Sequence, residues 1–469
     1  MNRADYHINF SFKKLGVDYK SNLTYMLHRV TFALLFVIGF VCSSNAQSED
    51  TWSLNRCVRY ALKNNIDLNR QYNQVETQKL NLDESKANLF PDLNMGSSLF
   101  MNFGRNIDGN TNDVTYEQNL SNNYWLSSSV DIFQGLAKQN AISYHKFLLS
   151  AYEKESLVLE NTLVVNVLTY YYTAVYSLGI LDVAKGQVHL SEMQFQRMKK
   201  LVDVGKESPI TVQELKSQWA ADKLKLTQAQ SIVSKSILEL KQLLRLDATR
   251  AFVLDTLGLA SDDLMLISPR VDSLFSQAVE LMPEIKQQEY LMNASAKDLA
   301  VAKAKMYPRI YLSAGYNTNY FDRDSLSFSH QMENNQNQWI NMGVVIPIFD
   351  NASVHTGIKR KKIALRDQQL QLEKQRETLY TSVWKAVDAL NSAENEYKSA
   401  LELHKFSLLT LKNVAKKLEN GLASATDYEA AKQRLISAKA SLLKARLIYV
   451  MRKQMLEFYQ NGDWSHLNI

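Results

Sequence analysis

The chain has 469 residues, with 54 Lys and Arg against 48 Asp and Glu, a formal net charge of +6. That near balance carries no basic message for nucleic acid, and no nucleic-acid partner is expected. With only 15 Gly and 6 Pro, turns are scarce, which excludes a string of small compact domains and favours few, long elements.

The first readable segment is an export signal. Leu27, His28 and Arg29 give a basic start, Val30 to Val41 an apolar run, and Ser44, Asn45 and Ala46 the small residues of a cleavage site. The run is too short to span a bilayer and ends in small polar residues, which speaks against an N-terminal anchor. Residues 26–46 are read as the signal peptide, Gln47 as the first mature residue, and 1–25 as an over-called or extended N-terminus. Cys42 falls inside the signal, and Gly39-Phe40-Val41 before it does not resemble a lipoprotein site. Cys57 is then the only mature cysteine, so no internal disulfide is available and stability rests on packing or oligomerisation. Residues 1–46 hold five Lys and Arg and two Asp, which leaves the mature chain near +3.

Short helices follow, around Ala61, and then two segments that alternate with period two. Leu93, Met95, Leu99, Met101 and Phe103 share one face of the first, against Asn94, Gly96, Ser98 and Asn102. In the second, Tyr124, Leu126, Val130 and Ile132 oppose Ser127, Ser129 and Asp131. The link between them, Arg105 to Ser121, is rich in Asn and Asp. A Pro-free helix is predicted from Leu136 to about Val204, on the order of 100 Å long at 1.5 Å per residue, and a second from about Ile210 to Leu246.

After an irregular linker at 247–270 the same order recurs. Ala278 stands 217 residues after Ala61, Tyr307-Pro308 answers Phe90-Pro91, and Pro347-Ile348-Phe349 answers Asp131-Ile132-Phe133. Ile310, Leu312, Ala314 and Tyr316 oppose Ser313, Gly315 and Asn317; Ile340, Met342, Val344, Ile346 and Ile348 oppose Asn341 and Gly343. Long helices are predicted from Val354 to about Glu419 and from Thr426 to about Tyr459, with Leu365, Leu372, Leu379, Val383, Val387 and Leu390 at packed-helix spacing. Landmarks in one register mark a tandem duplication. The expected organisation is repeat 1 at 47–246 (strand pair about 92–133, hairpin about 136–246), repeat 2 at 271–460 (strand pair about 309–349, hairpin about 354–459) and a tail at 461–469. The fold class is mostly α with a small membrane β part.

Four strands of about ten residues, apolar on one face and ringed by Phe100, Phe103, Tyr124, Trp125, Tyr320 and Trp339, fit outer-membrane barrel strands. A soluble sheet with one buried face has the same alternation. Four strands cannot close a barrel, for which about eight is the usual minimum, and an open edge in lipid leaves backbone groups unpaired. Several chains must therefore contribute, and three would supply twelve strands. Lys359-Arg360-Lys361-Lys362, just after the fourth strand, is either a headgroup-facing run or a solvated helix face.

This arrangement resembles the TolC-type outer-membrane efflux proteins from about Trp52 to Tyr459. The resemblance rests on Ala61-Leu62 with Asn64-Asn65, on Pro91 and Pro308 opening strands, on the endings Ile132 to Gly135 and Pro347 to Phe349, and above all on a hairpin turn, Gly421, Ser424 and Asp427, followed by Ala430, Ala431, Leu435 and Ala438. Gly205 and Ser208 mark the matching turn of the first half, where Pro209 and Thr211 replace the later residues. The resemblance implies a homotrimer in outer-membrane lipid, with a twelve-stranded barrel and a periplasmic helical tunnel. It further implies a periplasmic adaptor (membrane fusion) protein and an inner-membrane pump of the RND or ABC type. Acidic residues of that turn ring the closed entrance in the family, which makes Asp427 a periplasmic aperture candidate. The next family acid falls at Ala430 here, with Glu429 beside it, and Glu214 stands just past the first turn. A plain helix-capping role for Asp427 stays open beside the aperture role.

His145, His189, His355 and His404 are scattered along helices, and there is no paired-Cys, His-Glu-x-x-His, Gly-x-Ser-x-Gly or P-loop pattern. No enzyme, catalytic residue, cofactor or metal is expected. The reading is an exit duct for small-molecule efflux; the alternatives are the outer-membrane part of type I protein secretion and a non-transporting exported coiled-coil envelope protein.

Overall fold

The computed structural model describes residues 51–464 and 467, apart from 108–113, 117, 207, 256–269, 323 and 421. The signal peptide, Gln47, Gly421 and most of the 247–270 linker lie outside the described residues. The chain forms two units. The smaller pairs β1 (Thr51–Trp52) with β6 (Val253–Leu254) in parallel, with Trp52 tilted against Phe252 at 5.2 Å.

In the larger unit the elements run α1 (Leu54–Asn64), α2 (Ile66–Ala87), β2 (Asn94–Asn102), β3 (Asn106–Ile107), β4 (Val114–Thr115), β5 (Asn119–Gln134), α3 (Ala137–Asp203) and α4 (Pro209–Leu244). The second half runs α5 (Val271–Leu281), α6 (Pro283–Ala304), β7 (Arg309–Phe321), α7 (Phe328–Asn334), β8 (Asn337–Val345), α8 (Ser353–Glu419) and α9 (Ala425–Asn461). Corresponding helices have nearly equal lengths, and α3 and α8 both count 67 residues.

The two halves reach one backbone by different local chemistry. Asn65 ends α1, and its side chain accepts the Leu68 N–H to open α2. At the matching place Met282 is buried and makes no such bond, and Pro283 opens α6 at its first position, where a missing N–H costs nothing. Each strand-to-long-helix junction uses two consecutive left-handed residues, Gly135 (φ 58°) and Leu136 (63°) in one half, Asn351 (55°) and Ala352 (60°) in the other. Gly135 is also tightly enclosed, since a Cβ there would stand 2.7 Å from the Ala304 carbonyl oxygen. At the second junction Asp350 accepts the Val354 N–H at 2.6 Å, serving an otherwise orphan amide of α8.

The helices pack through the 3.6-residue stripes seen in the sequence. In α8, Leu379, Val383, Val387, Leu390, Ala393, Tyr397 and Ala400 are buried; in α9, Ala431, Ala438 and Ala445 are buried at heptad spacing. Tyr397 stacks on Tyr449 across this hairpin at 5.9 Å. The α3–α4 hairpin is fixed in register by buried polar pairs, Ser177 with Ser236 at 2.7 Å and Gln187 donating to Asp222 at 3.0 Å. α3 also packs on α2, α6 and α9, and that central position accounts for its buried Val164, Val167, Leu168, Tyr171 and Val175.

The four main strands form one antiparallel sheet, in the order β2-β5-β7-β8. Its central pair, β5 with β7, joins the two halves, and β2 and β8 are both open edges. One face is apolar and bare: Met95 is 82% exposed, Ile340 80% and Met342 64%. The register departs from simple alternation at Ile132, a bulge between the Asp131–Tyr311 and Phe133–Ile310 pairs, so that Phe133 takes the place expected for Ile132. The register also puts Phe100, Trp125 and Trp339 on the polar face, opposite Ser121, Asn317 and Gly315, rather than in an aromatic ring around the apolar one.

One element of the second connection was not foreseen. α7 folds back on the end of β7 that β8 does not reach, with Phe328 against Tyr320 and Tyr124. Gln331 is fully buried there; its amide accepts from the Phe321 N–H at 2.8 Å and donates to the Phe321 and Leu326 carbonyls. Gln331→Ala strands the Phe321 N–H and leaves its carbonyl with the Asp324 N–H as remaining donor, and should lower stability by about 1–3 kcal/mol. A denaturant titration with proteolysis of the 322–336 connection checks this; an unchanged midpoint would show that water serves those groups equally well.

Candidate functional site

The two hairpin tips lie at the same end of the larger unit. α3 and α9 run side by side in opposite directions: Lys432 meets Gln194, Leu443 fits against Gly179, and Gln454 accepts from the Tyr172 hydroxyl. The turn after α3 and the turn before α9 are therefore neighbours at one end of these helices.

The first tip is a left-handed glycine turn. Gly205 has φ 75°, the Lys206 N–H donates to the Leu201 carbonyl, and the Gly205 N–H donates to Val202. These are the paired bonds that satisfy carbonyls at a helix end. Ser208 then accepts the Ile210 N–H at 3.3 Å, with Pro209 as the first residue of α4. Glu214 is exposed on the second turn of α4.

At the second tip the Leu422 N–H donates to the Lys417 carbonyl at 2.8 Å, a closure of the same kind. Ser424, not Asp427, is the capping residue. Its hydroxyl oxygen accepts the Asp427 N–H at 3.1 Å, and Asp427 Oδ2 accepts the Ser424 N–H at 3.1 Å and its hydroxyl at 2.7 Å. This is a reciprocal capping box. The hydrogen bonds from Ser424 hold the Asp427 carboxyl below the usual aspartate range. Only Oδ2 is engaged in these bonds, so the cap leaves Oδ1 available.

Glu429 stands in a different setting. Lys432 is almost fully enclosed, with its side chain 2% exposed, and its ammonium donates to Glu429 Oε2 and to Gln194 Oε1, each at 3.3 Å. Glu429 is thus the counter-charge of a buried lysine that ties α9 to α3. Spacing alone could not reveal this, because Gln194 is 238 residues away from Lys432.

Chemical machinery does not gather elsewhere in what is described. Among the described residues no three His, Cys, Asp or Glu side chains come together as a metal site. Cys57 is buried, and burial pushes its thiol up to about 12, far from the thiolate that reactivity requires. At the sheet end nearest the long helices, Asp131 accepts from Arg309 at 2.6 Å, and Lys138 stands 3.8 Å from it.

The family profile described as outer membrane efflux protein matches residues 58–244 and again 274–461, once in each half. The probable efflux pump outer membrane protein TtgC of Pseudomonas putida is 21% identical over 420 residues, spanning 88% of this chain and 83% of that protein. Among solved structures, the outer membrane protein VceC of Vibrio cholerae superposes with a TM-score of 0.73 at 14% identity, covering 88% of this chain and 96% of VceC. The open state of the outer membrane channel MtrE of Neisseria gonorrhoeae gives 0.73 at 16% identity, covering 88% of this chain and 89% of MtrE.

The capping box carries its own test. Because the folded value for Asp427 lies below the ordinary 3.8, its contribution is complete above that value and disappears as pH falls through the lower folded one. Ser424→Ala should cost about 0.5–2 kcal/mol of local stability and should reduce this pH dependence without removing it, because the backbone N–H of residue 424 still donates to the carboxylate. Hydrogen exchange at the first turn of α9, corrected for intrinsic rates and compared at pH 7 and pH 3, reads both; protection insensitive to pH in the unaltered chain would contradict it.

Proposed function

This chain belongs to the outer membrane efflux protein family, and from that premise we propose that three copies of it form the exit duct of an efflux pump. Each copy adds its four-stranded sheet to a twelve-stranded barrel in the outer membrane. The long hairpins continue that barrel as a tunnel into the periplasm. The observation that carries the reading is the sheet itself, with a bare apolar face and two open edges. In lipid an apolar face is at home, but open edges are not. β2 and β8 run in opposite directions, so β8 of one copy can accept β2 of the next and the antiparallel pattern continues unbroken around the ring.

The apolar face then meets lipid and the Ser- and Asn-rich face lines the bore. The duct performs no chemistry on its cargo. We take the energy to come from an inner-membrane pump of the RND or ABC type, joined through a periplasmic adaptor. Support comes from relatives such as TtgC, whose names place them as outer-membrane parts of efflux pumps. The cargo is taken to be small molecules. The hairpin tips form the periplasmic entrance in this reading, where Asp427 and Glu214 supply negative charge and Glu429 is largely balanced by Lys432.

Val344 and Asn341 lie on opposite faces of β8, paired with Ile310 and Ser313. Val344→Arg should impair membrane assembly, since a charge on the lipid face costs up to about 2–4 kcal/mol at mid-bilayer and less towards the interface. Asn341→Arg should assemble and alter conductance. Equal behaviour of the two in membrane fractionation would mean that the faces are misassigned.

The entrance is tested separately. Three-fold symmetry brings three Asp427 carboxylates around one axis, and a multivalent cation relieves their repulsion. Asp427→Asn keeps an acceptor for the Ser424 N–H and removes the charge. It should weaken block of reconstituted channels by a trivalent cation while leaving assembly intact. An unaltered blocking constant in planar bilayers would reduce Asp427 to its capping role.

A further inference from the structure

Three aromatic rings cover glycines of neighbouring strands, all on the polar face. A Cβ built on Gly96 would stand 2.3 Å from Cζ2 of Trp125, one on Gly315 2.6 Å from Cε2 of Trp339, and one on Gly343 2.4 Å from Cζ of Tyr311. Each pair is directly opposite across two strands. With no side chain beneath it, each ring rests on backbone, as aromatic side chains do when they shield a strand glycine.

A ring lying on the sheet turns its second π-face away from it. For Tyr311 that side is served, since the Arg309 guanidinium stands 5.5 Å from its centroid and is itself held by Asp131. No cation or second ring stands over Trp125 or Trp339 among the described residues, and they are 41% and 40% exposed. Trp125 is level with Asn317 and Trp339 with Gly315, two residues apart on one strand, about 7 Å. The wall around them is neutral: Asn94, Ser98, Asn123, Ser127, Asn317 and Asn337 share this face. The paired residues with charge on it, Asp131 and Arg309, are bound to each other at the sheet end, and towards that end the Asp92 carboxylate is held by the amide and hydroxyl of Ser129.

We propose that Trp125 and Trp339 of three copies form a girdle of six indoles inside the bore, a stacking site for planar aromatic solutes and aromatic ammonium ions in transit. The proposal rests on the twelve-stranded reading above, which places the polar face on the bore. Shielding glycine would be met by any apolar side chain. Two indoles about 7 Å apart along the strands, in a wall of Ser and Asn and with no cation or second ring over them among the described residues, offer in addition what a flat π-system binds. Ser hydroxyls and Asn amides around them supply hydrogen bonds without fixing a sign of charge, so the girdle selects for flatness rather than for net charge.

The test uses the reconstituted full-length channel and two monovalent cations of nearly equal size, benzyltrimethylammonium and its saturated analogue cyclohexylmethyltrimethylammonium. Current block by the aromatic ion should be stronger by about 2- to 10-fold. Trp125→Leu with Trp339→Leu still covers both glycines and should bring the two ions to parity at nearly unchanged open conductance. Trp125→Phe with Trp339→Phe should restore part of the preference, which also shows that the site tolerates exchange. Equal block of the unaltered channel by both ions would overturn the proposal, and so would a preference that survives in the leucine variant. If the protein forms no channel, or if brominated lipid quenches these two indoles, the barrel reading fails and the girdle with it; a conducting channel without aromatic preference condemns the girdle alone.

Discussion

The edges of one four-stranded sheet are the constraint on which the structure turns. β2 and β8 each present a row of backbone groups without a strand partner among the described residues of their own chain. In water such an edge is tolerable when short and polar. In a bilayer each unsatisfied group costs several kcal/mol. The apolar face of this sheet calls for lipid, and the edges forbid lipid to a single copy. Association with further copies removes the contradiction, and the length of the helices then decides how far the resulting bore reaches beyond the membrane.

Duplication supplies the matching parts. Two equivalent halves give two strand pairs and two hairpins of nearly equal length, so a ring of a few copies becomes a regular tube of many similar staves. The halves are alike in backbone and unlike in chemistry. Asn65 opens α2 by a side-chain cap where Pro283 opens α6 by its fixed φ. Gly135-Leu136 and Asn351-Ala352 make the same left-handed bend. The second tip closes with the Ser424–Asp427 box, whereas the first relies on Ser208 and Pro209. What is held constant is the path of the chain; the side chains that define it are interchangeable where only one orphan amide or one value of φ has to be met.

Much of this was legible in the sequence because it is periodic. Val383, Val387 and Leu390 recur at helical spacing, Met342 and Val344 at strand spacing, and the landmarks of the halves hold one register over more than two hundred residues. What was not legible depends on local exceptions or on contacts far apart in the chain. Alternation counts parity, so the bulge at Ile132 displaced Phe133 without leaving a trace in composition. Trp125 and Trp339 invite the reading of an interfacial ring because tryptophan is common there, yet their parity places them opposite Asn317 and Gly315, and the glycines beneath them are the signal that was available. The turn motif draws attention to Asp427, but its role as partner of the Ser424 cap, rather than the cap itself, follows from a three-residue spacing that the capping-box pattern contains. The Glu429–Lys432 pair is an ordinary three-residue helix spacing, but the bond from Lys432 to Gln194 and the burial of that lysine follow from no local pattern, because they join two hairpins.

Closure of the sheet between copies is the central claim, and hydrogen exchange reads it at the atoms concerned. The amides of Asn94–Asn102 and Asn337–Val345 that point away from β5 and β7 have no strand partner among the described residues of one chain, and the measurement is made on membrane-embedded protein. If β8 of one copy pairs with β2 of the next, these amides will exchange as slowly as those between β5 and β7. Rapid exchange of the outward amides, with the β5–β7 amides still protected, would show an open sheet and contradict the account.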